Sequence, residues 1–296
     1  MSPNKVRYLL FFQYFGTKYS GVVRVPETQA VLGVENYLER AAQKLRPVGK
    51  VTFSISSRTD AGVHAICNSA HVDIERPPDK PSFSEDLLVK ALNFHLMPEP
   101  ISIIKAIRVS EDFHARFKAI SRKYFYRVVT GCHYTDLPVF ERNLCWAASE
   151  SHLDIPRIQE AAQFFVGTHD FSGFRSTNKD TPLKSPVKTL LQASISPSTS
   201  LLPNHNSNLQ FWEFTFKSKS FAYNQVRRMT SALVAVGLGH LTPQDIKLHL
   251  EERRRPVFPR TIIAPPSGLF LKEVKYDEED MKSYTTESRR RSPGDT

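Results

Sequence analysis

The polar loop from Ser56 to Ala65 carries one carboxylate, Asp60, in a setting that could do chemistry. Arg58 stands two residues before it, and Gly62 stands two residues after it and allows an unusual backbone angle. A carboxylate placed in this way could serve as a nucleophile or as a base. An Asp in a tight loop also commonly braces its own turn through backbone hydrogen bonds, and position alone leaves this second interpretation open.

A second stretch, residues 113 to 123, interleaves basic side chains with aromatic rings. This combination suits contacts to phosphates together with stacking on RNA bases. A solvated loop explains each residue singly just as well, so the cluster carries more weight than any member. Its members are Phe113, His114, Arg116, Lys118, Arg122 and Lys123.

The net charge of the chain is +10, although residues 277 to 296 hold six acidic against four basic residues. The rest of the chain is therefore more basic than the whole, with a charge of +12. A surplus of this size attracts polyanions and is common in nucleic-acid-binding domains. A basic protein without a nucleic-acid partner is the alternative.

Composition also argues against several classes of protein and site. No window approaches the roughly 18 apolar residues of a membrane span, and Cys67, Cys132 and Cys145 are unlike a disulfide framework. We therefore expect a soluble protein that is not secreted. His64, Cys67 and His71 make only a weak metal-site pattern, and the phosphate-binding loops of nucleotide cofactors are missing, so neither a metal nor a cofactor is predicted.

Apolar periodicity divides the chain into strands and helices. Apolar residues recurring at three and four positions predict helices, and short apolar or alternating runs predict strands. The predicted strands are Val6 to Tyr14, Val51 to Ile55, Ile66 to Ile74, Ile101 to Val109, Tyr124 to Thr130, Val187 to Ile195, Leu209 to Lys217 and Leu269 to Tyr276. The predicted helices are Ala30 to Leu45, Ser84 to His95, Leu153 to Val166, Phe221 to Val236 and Pro243 to Arg253.

This order of elements predicts an α+β fold of two sheet-and-helix halves with a cleft between them. The first half, residues 1–110, would carry the Asp60 loop, and the second half would comprise residues 111–276. Residues 277–296 contain too little apolar sequence to pack and are predicted to form a disordered tail.

The loop around Asp60 also carries a resemblance to a known family. The run from Arg58 to Ala65 resembles the signature of the bacterial-type tRNA pseudouridine synthase A family. Further segments resemble the other motifs of that family in the same order, so that the likeness covers nearly the whole chain. These segments are Asp112 to Phe117, Arg122 to Arg127, Gly167 to Ser172, Phe221 to Leu233 and Gly268 to Leu271.

The resemblance implies an enzyme that isomerises uridine in RNA, expected to be tRNA, to pseudouridine without a cofactor. It implies a fold of mixed, mainly antiparallel sheets flanking a central basic cleft. Asp60 matches the family's catalytic aspartate, Arg227 the arginine paired with it, and Tyr124 the tyrosine that stacks on the target base. Without the resemblance, Arg227 would be an ordinary surface residue and Tyr124 a core aromatic. The other predicted substrate contacts are Arg58, His64, Phe113, His114, Arg116 and Leu269.

The chain departs from the family's pattern in places. Tyr14-Phe15-Gly16 lacks the acid that usually stands between the tyrosine and the glycine, and Asn224-Gln225 precedes Val226-Arg227. The target uridine and the formation of a homodimer therefore stay open. The alternative to the enzyme is a catalytically silent RNA-binding protein of the same fold, acting as a chaperone or assembly factor. A zinc-dependent base deaminase is disfavoured because its H-x-E and P-C-x-x-C motifs are missing.

The first 26 residues contain four basic residues and no acidic one, a composition typical of a mitochondrial presequence. The resemblance is closest to an animal branch of the family and favours a mitochondrial location. The alternative is a cytoplasmic protein in which Val6 to Tyr14 is simply the first strand of the fold.

Overall fold

The computed structural model describes residues 5–149, 152–176, 185–200, 208–253 and 263–282. The chain forms two compact units: unit 1 contains residues 1–120 and 273–296, and unit 2 contains residues 121–272. Unit 1 thus extends ten residues beyond the boundary expected at residue 110 and takes in the end of the chain. The disordered tail expected from residue 277 is wrong for its first six residues, because Glu279–Met281 forms a short 3-10 helix and Asp280 is paired with Lys118 at 2.8 Å. The rest of that tail, residues 283–296, lies outside the described part of the chain.

Unit 1 is built on an antiparallel sheet. Its elements before residue 121 are β1 (Lys5–Tyr14), α1 (Val34–Gln43), β2 (Phe53–Ile55), β3 (His64–Glu75), α2 (Glu85–Leu96) and β4 (Ile101–Arg108). β1 pairs with β3 on one side and with β4 on the other, and β2 pairs with β3. The apolar sequence of β1 suits this central place, because Leu9, Leu10 and Phe12 are completely buried.

The first helix begins four residues later than predicted, directly after Gly33. The side chain of Asn36 accepts the N–H groups of Val25 at 3.0 Å and of Gly33 at 3.2 Å. The carboxylate of Glu35 accepts the N–H of Arg24 at 2.7 Å. These bonds tie the incoming chain to the first turn of α1, so the preceding residues serve as a loop.

Unit 2 combines strands and helices in a similar way. Its elements are β5 (Ser121–Thr130), β6 (Trp146–Ser149), α3 (Ile155–Gln163), β7 (Gly167–Asp170), β8 (Val187–Pro197), β9 (Gln210–Ser218), α4 (Gln225–Gly237) and α5 (Pro243–Glu251). β5, β9, β8 and β7 are antiparallel neighbours in this order, and β6 pairs with β5 in parallel. A further strand, β10 (Leu269–Lys275), runs from unit 2 into unit 1 along the chain.

The sequence prediction of unit 2 was wrong in two respects. It missed β6 and β7, because four residues are too few to show a clear alternation. It also began the fourth helix at Phe221, whereas α4 begins at Gln225. Asn224 has a φ of 58°, in the left-handed region, and a helix cannot continue backwards through that angle.

The α+β fold predicted from the sequence is confirmed, with mainly antiparallel pairing and a parallel pairing of β5 with β6. Helix α4 supplies much of the core of unit 2, because ten consecutive residues after Arg228 are buried or nearly so, ending at Leu238. Within the described ranges, no helix is long and apolar enough to cross a bilayer. The cleft between the halves stays a prediction.

Candidate active site

Residues 56 to 63, here called the Asp60 loop, are tied to unit 1 by backbone hydrogen bonds. The N–H of Ser56 donates to the carbonyl of Ser69 at 2.8 Å, and the N–H of Val22 donates to the carbonyl of Thr59 at 3.1 Å. Asp60 itself forms an isolated antiparallel bridge with Gly21. The loop is therefore fixed from two sides before any substrate binds.

Asp60 begins a tight turn. The N–H of Val63 donates to the carbonyl of Asp60 at 3.1 Å. Gly62 has a φ of 78°, which confirms the unusual backbone angle expected at this glycine. Asp60 is half-buried, whereas the neighbouring Thr59 is buried. Backbone groups thus close the turn and hold Asp60 at the surface of the loop.

A buried polar network supports the Asp60 loop from beneath. The hydroxyls of Tyr14 and Thr59 are hydrogen-bonded at 2.7 Å, and the amide of Asn68 donates to the carbonyl of Ser57 at 2.9 Å. The same amide approaches the Tyr14 hydroxyl at 3.4 Å. Burial raises the pKa of Tyr14 to about 12, so this hydroxyl stays neutral and keeps its bonds at physiological pH.

The two predicted substrate contacts in this region have different surroundings. Arg58 is exposed although both of its neighbours are buried, so it is available to a phosphate. His64 is only 1% exposed, and its Nδ1 accepts the N–H of Gly16 at 3.1 Å. Its predicted contact with substrate is therefore not supported, because the ring belongs to the support of the loop.

The basic and aromatic segment after β4 also differs from the prediction. Phe113 is 2% exposed and packs against the ring of Tyr276, with 5.3 Å between centroids. It is a core residue of unit 1, so the structure does not support its predicted role in stacking on a base. The exposed aromatic of this segment is Phe117, at 73%, with the guanidinium of Arg116 6.0 Å from its ring. His114 lies on Phe117 with a centroid distance of 4.3 Å.

This segment is firmly anchored. Arg7 donates to the carbonyls of Glu111 and Phe113 and is paired with Asp73, with 2.7 Å between Nε and Oδ1. Nδ1 of His71 accepts the N–H of Ala115 at 3.1 Å. Burial and the nearby cation of Arg7 lower the pKa of His71 to about 4. The anchor therefore requires a neutral imidazole, because protonation would place a second donor against the N–H.

The stability of the protein is expected to fall as the pH drops from about 6.5 towards 4. In this window the unfolded state takes up a proton at His71 and the folded state does not, which costs at most about 1.4 kcal/mol per pH unit. His71→Gln should show a shallower decline of the free energy of unfolding, measured by urea titration at several pH values. Above pH 7 the two curves should run parallel. Equal slopes below pH 6.5 would contradict this role of His71.

In unit 2, Tyr124 and Tyr126 lie on β5 at alternate positions, as predicted. Tyr126 is completely buried, and its hydroxyl donates to the carbonyl of Pro265 at 2.6 Å. Tyr124 is 8% exposed and makes an edge-to-face contact with Phe221 at 5.2 Å. Of the two, Tyr124 has the larger exposed fraction, and its stacking on a base stays a prediction.

Arg227 lies in the first turn of α4 and braces the chain that leads into β10. Its Nε donates to the carbonyl of Ala264 at 2.7 Å, and its Nη1 donates to Oδ1 of Asn224 at 2.9 Å. The hydroxyl of Ser231 accepts the N–H of Ala264 at 2.7 Å. The pairing of Arg227 with Asp60 stays a prediction, because the two residues belong to different units. The substrate contact of Leu269, which is 6% exposed, also stays a prediction.

Other arginines near these motifs have structural partners. Arg122, 8% exposed, donates to the carbonyl of Lys219 at 2.7 Å, and Arg228 donates twice to the hydroxyl of Ser176. The sequence did not reveal the supporting roles of Tyr14, Asn68 or Ser176, because no local pattern marks them. Nowhere in the described ranges do three His, Cys, Asp or Glu side chains come close enough to hold a metal ion.

Comparison with known sequences defines the class of protein. The sequence model of the tRNA pseudouridine synthase family matches residues 10–118 and 161–277, more than half of the chain. The chain therefore belongs to the tRNA pseudouridine synthase family, whose members are isomerases acting on RNA. This finding confirms the resemblance proposed from the motif around Asp60.

Individual relatives agree with this assignment. The chain is 59% identical over 289 residues to a Xenopus laevis protein named tRNA pseudouridine synthase-like 1, covering 97% of both chains. It is 50% identical over 285 residues to the Homo sapiens protein of the same name, covering 95% of this chain and 93% of the relative. It is also 40% identical over 275 residues to tRNA pseudouridine synthase A of Hyphomonas neptunium, covering 91% and 98%.

Proposed function

We propose that the protein isomerises a specific uridine of a tRNA to pseudouridine, with Asp60 as the catalytic carboxylate. The reaction breaks the bond between ribose C1′ and uracil N1, rotates the detached base, and joins C1′ to C5. Asp60 begins it by attacking the sugar or the base, or by removing the C2′ proton. In each route it acts as an ionised carboxylate. The product contains the same atoms as the substrate, so the reaction needs no redox cofactor.

The geometry of the Asp60 loop is the observation that carries this proposal. A catalytic group is effective when it is held in position before the substrate arrives. The bridge to Gly21, the backbone bond from Val63 and the buried hydroxyl of Tyr14 provide such a hold. None of these contacts uses the carboxylate group of Asp60. The arrangement therefore fixes the backbone of the loop, and Asp60 itself is half-buried.

We assign supporting roles to Arg227 and Tyr124 in the same reaction. Desolvation favours proton uptake by the Asp60 carboxylate, and a cation beside it would oppose that uptake. Arg227 would supply this cation. Tyr124 would stack on the target base once that base has left the RNA helix, a step that costs a few kcal/mol. The match of both residues to the family's motifs supports these roles. The two hydrogen bonds of Arg227 within unit 2 also restrict its guanidinium.

The proposal is tested with tRNA transcripts that carry tritium at C5 of uracil. The purified protein should release tritium into water, because the new C1′–C5 bond replaces the C5–H bond. The same transcripts labelled at C6 provide the control and should retain their label. Tight binding of every tRNA without any release of tritium would overturn the proposed enzymatic activity. It would favour the catalytically silent RNA-binding protein that acts as a chaperone or assembly factor.

We also propose a mitochondrial location, supported only by the resemblance to animal relatives. The basic residues near the start have a use within the fold, because Lys5–Tyr14 forms β1 and Arg7 pairs with Asp73. The basic composition of this segment is thus explained without a role in mitochondrial targeting. Fractionation of cells that express the protein with a C-terminal tag tests the location, and recovery in the cytosol alone would refute it. A homodimer stays a prediction.

A further inference from the structure

Phe15 lies at the edge of the Asp60 loop. It follows β1 directly, and its N–H donates to the carbonyl of Pro100 at 3.1 Å. The next residue, Gly16, lies so close to the loop that a Cβ on it would be 1.9 Å from the carbonyl oxygen of Val63. The backbone that carries the Phe15 ring is therefore in contact with the loop that carries Asp60.

The side chain of Phe15 is 54% exposed, although the residues around it are buried. Tyr14 is 4% exposed, and Val63 and His64 are each 1% exposed. A single exposed aromatic ring is common on protein surfaces and needs no explanation by itself. This ring, however, adjoins the catalytic loop, and an edge-to-face contact with His64 at 5.8 Å limits its motion. It is an exposed but positioned ring.

The charges near Phe15 suit an RNA partner. Arg58 is exposed within the Asp60 loop, and Lys18, three residues after Phe15, is half-exposed and paired with Glu99 at 2.7 Å. Arginine and lysine contact phosphates, while an aromatic ring stacks on any base because every base has a π-face. The combination of a ring with nearby cations is the composition of a site for unpaired RNA.

We infer that Phe15 is a substrate-binding residue that stacks on an unpaired base neighbouring the target uridine. The inference rests on the proposed function, because it takes Asp60 to mark where the uridine reacts. When the uridine leaves its helix, the adjacent base loses a stacking partner. The ring of Phe15 replaces that partner. Phe15 thus contributes to the choice of uridine without taking part in the chemistry.

Phe15→Ala should weaken tRNA binding about 5- to 150-fold, the usual range for losing one base–aromatic stack. The dissociation constant is measured by filter binding, and kcat and KM are measured by tritium release. KM should rise by a similar factor, while kcat at saturating tRNA stays within about twofold. Phe15→Tyr, which keeps the ring, should retain wild-type affinity. Phe94→Ala is the matched control, because Phe94 is 68% exposed on α2 of the same unit.

A change in the RNA separates stacking from a general loss of contact. Abasic nucleotides are introduced one at a time within two positions of the modified uridine. At one of these positions, the affinity of the wild type for the abasic RNA should fall to the affinity of Phe15→Ala for the intact RNA. Combining the abasic RNA with Phe15→Ala should cause no further loss of affinity. The inference would be overturned if the losses of affinity from the abasic nucleotide and from Phe15→Ala added fully at every position. It would also be overturned if Phe15→Tyr and Phe15→Ala lost the same affinity.

This outcome is distinguishable from failure of the proposed function. If the wild type releases no tritium from any tRNA, the enzyme assignment fails, whereas the affinity of Phe15→Ala for tRNA is still measurable. If tritium release is normal and Phe15→Ala binds and reacts like the wild type, only the role of Phe15 fails.

Discussion

Asp60→Asn is expected to lower the rate of tritium release from tRNA by at least about 10³-fold. The amide has the size of the carboxylate but is neither a nucleophile nor a base at neutral pH. The Asp60 turn is closed by the backbone bond from Val63, and Thr59 is held by the hydroxyl of Tyr14. The variant should therefore keep its urea midpoint and its affinity for tRNA. Single-turnover release and filter binding measure the two properties separately.

Asp79→Asn is the matched control, because Asp79 is exposed in the connection between β3 and α2. It loses one carboxylate from the same unit and should react at the wild-type rate. Release at the normal rate by Asp60→Asn would remove Asp60 from the chemistry. A lower urea midpoint in Asp60→Asn would instead support the interpretation that its carboxylate braces the loop.

Gly16→Ala is expected to lower the free energy of unfolding by about 3 kcal/mol or more. Its new methyl group would lie 1.9 Å from the carbonyl oxygen of Val63, and a backbone atom cannot rotate away as a side chain does. Either Gly16 or the Asp60 loop must move. The hydrogen bond from the N–H of Gly16 to His64 would be strained by the same movement. Urea titration gives the loss of stability, and tritium release gives the loss of activity.

Gly49→Ala is the appropriate comparison, because a Cβ at Gly49 would have no atom within 4 Å. That substitution should change the urea midpoint little. If Gly16→Ala were as stable and as active as Gly49→Ala, the close packing of Gly16 against the Asp60 loop would be needed neither for stability nor for activity. A variant that is stable but inactive would show that the loop moved while the rest of unit 1 stayed folded.

The long elements and the position of the Asp60 loop were predictable from the sequence. The apolar run of β1 and the stripe of Leu88, Leu92 and Leu96 on α2 follow the periods of a buried strand and an amphipathic helix. Gly62 was recognised because a positive φ is a local property of the chain. These features depend on neighbours within a few residues, which a sequence shows directly.

The environment of individual site residues was much less predictable. His64 and Phe113 lie in motifs rich in functional residue types, yet both are buried in unit 1. The support of the Asp60 loop joins Tyr14 to Thr59 and to Asn68, which are 45 and 54 positions away along the chain. No spacing rule connects residues so far apart. Tyr14 and Asn68 come together through the pairing of β1 with β3, and Thr59 belongs to the loop that precedes β3. The burial of His64 and Phe113 favours a structural role for both rings.

The return of the chain to unit 1 after residue 272 has a consequence for synthesis on the ribosome. All residues of unit 2 are consecutive, so a nascent chain can complete that unit as soon as β10 begins to emerge. Unit 1 still lacks Tyr276, whose hydroxyl bonds to Ser69 at 2.7 Å and to the carbonyl of Ala115 at 2.6 Å. Unit 1 therefore begins to emerge before unit 2 but is completed after it, and its surface for Tyr276 stays open until residue 276 has left the ribosome.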